Sequence, residues 1–551
     1  MNLDGILSKF PSEVRESDSM KCLVILIQTL LQQLQSTQEQ LQSTQEQLQS
    51  TQEQLTKSQE KIKILEDEIA KLRKTPKPPK FRPNGMQPRN RAKSPKDDKN
   101  NGTSFPENPS LAMKETSEVV IQPSNIPIGS QFKGYQTFTI QDIKLTAVEK
   151  IYKLAVWQSP NGEVFRGKLP DELKGKHFGP TLGAFTTNLY AQGMTQPTIH
   201  EFLRSLGIDL SSGQVNNILL NEAEGYVTAR EAILAAGLQE ASYIGVDDTG
   251  EKHQHKNGYC TYIGGQYFAY YKTSYSKSRE NFLRILLQGK EGYHINESMI
   301  WHLFQIGVED DILNLFENYI GKTYQTKKGM NRLLNELGLK GKKLSQQCIE
   351  AALVGFIQAT ILKPGQVMIS DRAGQFALFN HAGCWVHMER PLRKIICTSA
   401  EVEKELADVR QAIWTLYHKV NEASLCQIGK EAVHELYKKL VAMKTSSPAI
   451  NGVIATFNTY REEMLKALDH PGLPLHNNDS ERDIRSVAKR RNISGSTKSD
   501  LGRKFRDGLQ SLKQTCFRLG YNFWDYIQRW FRGDPPDLSE LVRRRYRAAS
   551  V

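Results

Sequence analysis

Cysteine is scarce in this sequence: seven residues among 551, widely scattered, with no C-x-x-C pair. A disulfide framework and a cysteine-rich zinc site are thereby disfavoured, and the pattern fits a reducing compartment. Long apolar runs are missing too. None approaches the ~20 residues that a membrane-spanning helix needs, and the opening MNLDGILSKF lacks a basic-then-apolar export pattern. The expected location is therefore the cytoplasm, with no membrane partner.

Negative charge is the other deficit. Lys and Arg number 73 against 60 Asp and Glu, a net charge of +13. The imbalance is uneven: residues 1–74 carry 9 basic and 11 acidic side chains, residues 481–551 carry 17 basic and 8 acidic. Such a basic final seventh points to a polyanionic partner, because neutralising phosphates releases counterions. A chain of 551 residues is also long for one core, so two or three domains plus extensions are expected.

Residues 1–30 read as an N-terminal helical segment. LQSTQEQ then occurs three times from Leu34, and Leu41, Leu48, Leu55, Ile62 and Ile69 keep the seven-residue spacing. The companion position reads Thr37, Thr44, Thr51, Ser58, Leu65, Leu72, so residues 31–74 are expected to form a coiled coil that is firm only at its end. A homo-oligomer is the plain consequence. Residues 75–134 form a basic Pro-rich linker, in which Pro76, Pro78 and Pro79 forbid helix. Residues 135–240 are expected to be a helical DNA-binding region. There Pro197 suits a first helical turn, and Ile199, Phe202, Leu203 and Leu206 form an apolar stripe; Gly207 then stops the helix and Ser211 or Ser212 caps the next. Helix pairs of this kind serve DNA binding and plain packing equally often.

Near Ala241 the period changes to two. Tyr243 to Asp247 alternates as a strand, and residues 258–263 and 266–273 flank Gly264-Gly265 as a hairpin with a two-residue turn. A helix over 276–287 follows, then a helical block over about 298–362, and then the strand Val367 to Asp371. That order matches a ribonuclease H-like core interrupted before its fourth strand. The expected fold is mixed α/β: a ribonuclease H-like catalytic domain over 241–495 with a helical insertion at about 298–362. The helical DNA-binding region and the N-terminal coiled coil precede it, and a basic helical region over 496–551 closes the chain.

Strand geometry separates Asp247 from Asp248, since neighbours point to opposite faces. Asp247 shares its side with Gly245 and Tyr243; Asp248 shares the other with Ile244 and Val246. Asp371 ends a second strand. Each acid alone reads as an ordinary strand-end or loop carboxylate. Together with a third, they meet the need of two-metal phosphodiester chemistry for hard oxygen ligands around cations about 3.5–4 Å apart. The third candidate is Glu481 in HNNDSERDIRSVAKRRNISGS, starting at His476. Asn478 and Glu481 also fit a helix capping box. Arg485 and Lys489 follow Glu481 on the same helical face. Cys384 and His387 form C-x-x-H with no second pair nearby, which favours a buried structural role. His253 and His255 read as solvated histidines at a strand end.

On these residues the chain resembles the transposases of the insertion sequence 66 family, bacterial DDE enzymes. The resembling stretches are VDDTG at Val246, SDRAGQF at Ser370, GCWVHMERPLRK at Gly383 and HNNDSERDIRSVAKRRNISGS at His476, with the segment from His177 to Val215 ahead of them. The resemblance implies Asp247, Asp371 and Glu481 as catalytic, metal-holding acids, with Mg2+ as cofactor and Mn2+ able to replace it. Arg482, Arg485, Lys489, Arg490 and Arg491 become the DNA contacts. Implied partners are double-stranded DNA (terminal inverted repeats and target), a second copy of the chain and accessory proteins of the same element, with the bound protein at the bacterial nucleoid. Asp248 stands where glutamate is usual, and the cysteine-rich module of many members is absent. A catalytically silent DNA-binding derivative and a nuclease of the same fold without strand transfer are the alternatives.

Overall fold

The computed structural model describes residues 118–549, apart from 124–126, 128, 171, 172, 174, 176, 291, 398 and 428. The expected N-terminal segment, the coiled coil and most of the basic linker lie outside the described residues. Residues 131–155 form neither helix nor strand, with Phe138, Ile143 and Ile151 exposed. They lead into an antiparallel hairpin, β1 (Val156–Gln158) and β2 (Val164–Arg166). The stretch 135–170 is therefore not helical, contrary to expectation. Apolar residues in TFTIQDIKL recur at a spacing nearer two than 3.6, which suits extended chain.

Helices begin with α1 (Pro180–Ala191), α2 (Gln196–Ser205), α3 (Ser212–Leu220) and α4 (Ala223–Glu240). Thr195 caps α2, Gly207 turns the chain at φ +83°, and Ser211 with Gln214 forms a reciprocal capping box on α3. These helices share one hydrophobic core with the sheet that follows. That sheet has the order β5-β4-β3-β8-β9, built from β3 (Tyr243–His253), β4 (Lys256–Gly264), β5 (Ala269–Ser274), β8 (Val367–Ser370) and β9 (His381–Gly383). β3, β4 and β5 pair antiparallel; β8 joins β3 in parallel, and β9 joins β8 in parallel. All four residues of β8 are buried, as a parallel strand covered on both faces requires.

Two hairpin expectations need correcting. β3 is far longer than the five residues of its alternating start, and it turns into β4 through Gln254 and His255 at φ +48° and +63°. His253 is consequently buried, 2.7 Å from Thr497 Oγ1 and 3.0 Å from Asp500 Oδ1, and only His255 sits at the turn. β4 and β5 are joined by residues 265–268, closed by Gly265 N–H donating to Phe268 O. Neither glycine of the GG pair has positive φ. Crowding explains both, since a Cβ at Gly264 would lie 1.9 Å from the Tyr262 hydroxyl and one at Gly265 2.4 Å from that of Tyr546.

Between β5 and β8 lie α5 (Arg279–Leu287), α6 (Glu297–Gln305), α7 (Asp310–Asn314), α8 (Lys327–Glu336) and α9 (Lys342–Thr360), with a small pair β6 (Tyr293–His294) and β7 (Thr323–Tyr324). After β9 come α10 (Trp385–Glu389), α11 (Ala400–Cys426), α12 (Lys430–Ala442), α13 (Pro448–Thr459) and α14 (Arg461–Leu465), which form a second core with β8 and β9. The chain ends with α15 (Asn478–Ser494), α16 (Asp500–Leu519), α17 (Phe523–Arg532) and α18 (Leu538–Ala549).

α16 closes the open edge of β5. Thr515, Ser511 and Asp507, four residues apart, accept the backbone N–H groups of Ala269, Tyr271 and Thr273, two residues apart. Four helical residues rise about 6 Å and two strand residues about 6.8 Å, so the ladders stay in step over this length. An edge strand is thereby protected from foreign pairing. α15 lies on the opposite face from the main core, with Ile484 and Val487 packed on Cys260, Tyr262 and Tyr271.

Candidate active site

The site is built where β3, β8 and α15 meet. The parallel register pairs Tyr243 with Val367 and Gly245 with Ile369. Two residues beyond that pair stand Asp247, still within β3, and Asp371, just past the end of β8 and near enough for its charge to act on Asp247. Asp247 lies opposite Tyr262 of β4, on the face covered by α15. Asp248 points to the other face, where its carboxylate accepts from Gln375 Nε2. Burial and then the charge of Asp371 push the Asp247 carboxyl up to about 7, with Asp248 and Glu481 contributing further.

The turn after β8 is held firmly. Asp371 Oδ1 accepts from the N–H of Ala373 at 2.9 Å, and Arg372 sits at φ +71°. A left-handed arginine costs about 1–2 kcal/mol, so something must hold it. Its backbone N–H donates to Ser370 Oγ and its Nε to Glu463 Oε2 at 2.9 Å. His381 completes the network, 2.8 Å from Ser370 Oγ and 2.9 Å from Glu463 Oε2. Burial alone would raise the Glu463 carboxyl, but His381 and Arg372 outweigh it and hold it below the usual range. Serine, histidine and glutamate in line resemble a hydrolase triad, yet Ser370 is fully buried. Their role is to fix the Asp371 corner. Nothing in the sequence marks this network, since its members lie up to 93 positions apart.

α15 is fitted to β3 with little tolerance. Ser480 Oγ fills the space a Cβ at Gly245 would need, and Asn477 Nδ2 donates to Val246 O at 2.9 Å. The buried Asp483 accepts from Tyr262, Gln514 and Arg518, the last at 2.6 Å. Those contacts fix the first turn of the helix and with it Glu481, whose charge acts on the Asp247 carboxyl.

Glu481 is not a cap. The N-cap is Asn477, with no side-chain cap bond, because its amide is committed to Val246 and its N–H to Cys384 Sγ. The Glu481 carboxylate instead faces His387 Nε2 and Arg390 Nη2, both at 3.4 Å, and Arg485 Nη2 at 3.8 Å. Cys384 is buried as expected, whereas His387 reaches the acid site. Among the described residues no three Asp, Glu, His or Cys side chains converge closely enough to hold a metal ion. Asp247 and Asp371 nonetheless suit a hard cation chemically: two neighbouring carboxylates raise each other's energy, and a divalent ion would relieve that repulsion. Glu481 would join them only by turning away from His387 and Arg390.

The expected DNA contacts divide into two groups. Arg482, Arg485 and Lys489 are exposed on α15, Arg482 paired with Asp479 and Arg485 with Glu481. Arg490 and Arg491 have other work. The Arg490 guanidinium donates to the carbonyls of Tyr190 and Met194 and stacks 4.2 Å from the Tyr190 ring, while Arg491 donates to Gly250 O. They tie the far end of α15 to α1 and β3.

Comparison with known proteins gives two findings. Transposase IS66 family matches residues 341–504, a stretch that includes Asp371 and Glu481 but not Asp247. "Uncharacterized protein y4jO" of Sinorhizobium fredii (strain NBRC 101917 / NGR234) is 31% identical over 299 residues, covering 54% of this chain and 93% of that protein.

Proposed function

The chain belongs to the IS66 transposase family, and from that premise we propose that it is a DNA transposase acting on the terminal inverted repeats of its own element. The observation that carries the reading is the grouping of Asp247 in β3, Asp371 at the end of β8 and Glu481 in the first turn of α15 beside the inner strands of the sheet, where the charges of Asp371 and Glu481 act on Asp247. The strand order, with one antiparallel strand pairing between parallel neighbours, supports a ribonuclease H-like core.

Asp247 and Asp371 would hold Mg2+, or Mn2+ in its place, with Glu481 as the third acid. A divalent cation there would neutralise the attacked phosphate and acidify the attacking water. The protein's part is placement. The Ser370–His381–Glu463 network keeps Asp371 beside Asp247, and Asp483 keeps α15 over both. Arg482, Arg485 and Lys489 present cations to the DNA backbone. In the first reaction a water oxygen attacks phosphorus, the P–O3′ bond breaks, and the strand leaves with a free 3′ hydroxyl. That hydroxyl then loses its proton, attacks a target phosphodiester and displaces the target's own 3′ oxygen. DNA is the partner the family implies; a second copy of this chain and accessory proteins of the element complete the proposed assembly.

Purified protein with Mg2+ and a terminal-repeat duplex should nick and join strands, and Asp247→Ala and Glu481→Ala should not. Equal cleavage by all three proteins would refute the mechanism. A footprint that forms without divalent metal, accompanied by no nicking, would instead identify a silent DNA-binding derivative.

A further inference from the structure

The Glu481 carboxylate is already satisfied without a cation. Oε1 has His387 and Arg390 as neighbours and Oε2 has Arg485. The three donors differ in exposure. His387 is 18% exposed, and its Nδ1 is buried without a hydrogen-bond partner. Arg390 is 45% and Arg485 71% exposed. The backbone that carries His387 and Arg390 is pinned by their neighbour Glu389, fully buried between Arg393 at 2.6 Å and Arg410 at 2.7 Å. A pinned segment therefore supports one largely covered donor, His387, and one guanidinium, Arg390, that solvent reaches more readily. A phosphodiester offers a guanidinium the same paired oxygens as a carboxylate, at higher local charge density along DNA.

We propose that His387 and Arg390 are positioning residues for the third acid: they hold Glu481 away from Asp247 and Asp371 in the free protein, and a DNA phosphate that takes over Arg390 releases it. The proposal rests on reading those three acids as the metal-holding set. It explains why three acids meet at one place while no three ligands converge. The released side chain needs only rotation about its own bonds, because α15 itself is locked through Asp483 and Asn477. Metal-dependent cleavage would then be withheld until DNA lies across α15 and the Arg390 segment.

The test is Mn2+ affinity of the full-length protein by calorimetry, alone and with a mixed-sequence DNA duplex. An Asp247→Asn/Asp371→Asn variant defines the background from the duplex. Without DNA, Arg390→Gln should bind Mn2+ about three- to tenfold more tightly than the wild type, the range of one partly exposed charge pair. Adding Glu481→Gln to that variant should cancel the gain. The wild type should tighten by a similar factor when the duplex is added, and Arg390→Gln should not. Equal affinity of Arg390→Gln and wild type without DNA, or a gain that survives Glu481→Gln, overturns the proposal. Unchanged Mn2+ binding after Asp247→Asn/Asp371→Asn overturns the metal-holding reading beneath it, whatever Arg390 does.

Discussion

Gly245→Ala is the sharpest perturbation the site offers, because it adds one methyl group between a strand and the helix that carries Glu481. The new Cβ would lie 2.3 Å from Ser480 Oγ, 3.1 Å from Asn477 Oδ1 and 3.8 Å from Ile369 Cγ2. Ordinary contact begins near 3.4 Å, so the first turn of α15 must lift by about 1 Å. Overpacking of this kind costs about 1–3 kcal/mol. A displacement of about 1 Å in a catalytic group costs about 100-fold in rate, and Ser480 is the immediate neighbour of Glu481. Denaturant unfolding should show the first loss and Mg2+-dependent nicking of terminal-repeat DNA the second. Ser480→Ala removes the clashing oxygen, so the double variant Gly245→Ala/Ser480→Ala should recover most of the rate; the Asn477 contact remains and limits the recovery of stability. If Ser480 simply turned to another rotamer, Gly245→Ala would leave both measurements at wild-type values. That result would refute the claim that close fit of α15 on β3 sets the position of Glu481.

Two further predictions concern charge. Asp247 has a folded-state value of about 7 against 3.8 when unfolded, so folding favours its protonated form. Its ionisation therefore costs nothing below pH 3.8 and increasingly more as pH rises towards 7. In chelator-treated protein, Asp247→Asn should raise stability by up to about 4 kcal/mol at pH 8, with the gain vanishing near pH 4; thermal melts that show no gain at high pH, or one independent of pH, would contradict this. Asp483→Ala strands the Arg518 guanidinium in the interior, and loss of one partner of a buried pair costs about 3–5 kcal/mol. Unfolding measurements should show that loss, whereas a change below about 1 kcal/mol would place α15 under other control.

Local chemistry carried much of this fold to the surface of the sequence. The α2–α3 turn was legible because Pro197, Gly207 and Ser211 each act on chain within three residues of themselves, and the structure uses them as first turn, stop and cap. The β3 hairpin was not, since GEKHQHKNG has no N-G or G-G pair at its turn and relies on two non-glycine residues at positive φ. Burial of His253 escaped for the same reason, its partners Thr497 and Asp500 lying some 240 positions away. The absence of helix over 135–155 was only half legible, since the spacing of two in TFTIQDIKL breaks between Ile140 and Ile143.

For the site the division is clean. The period of two along β3 was enough to put Asp247 and Asp248 on opposite faces, because side-chain alternation follows from backbone geometry alone. The motif around His476 was enough to mark α15 and its exposed cations. Only the folded chain decided what Glu481 touches. It is neither the cap that its own helix invited nor a ligand already in place, but the partner of His387 and Arg390 from about 90 positions upstream. Tertiary packing likewise turned Arg490 and Arg491 into anchors and made Asp483 the lock of the helix. A carboxylate takes whichever donors the fold brings within reach, and no spacing within α15 records what β9 and α10 place beside it.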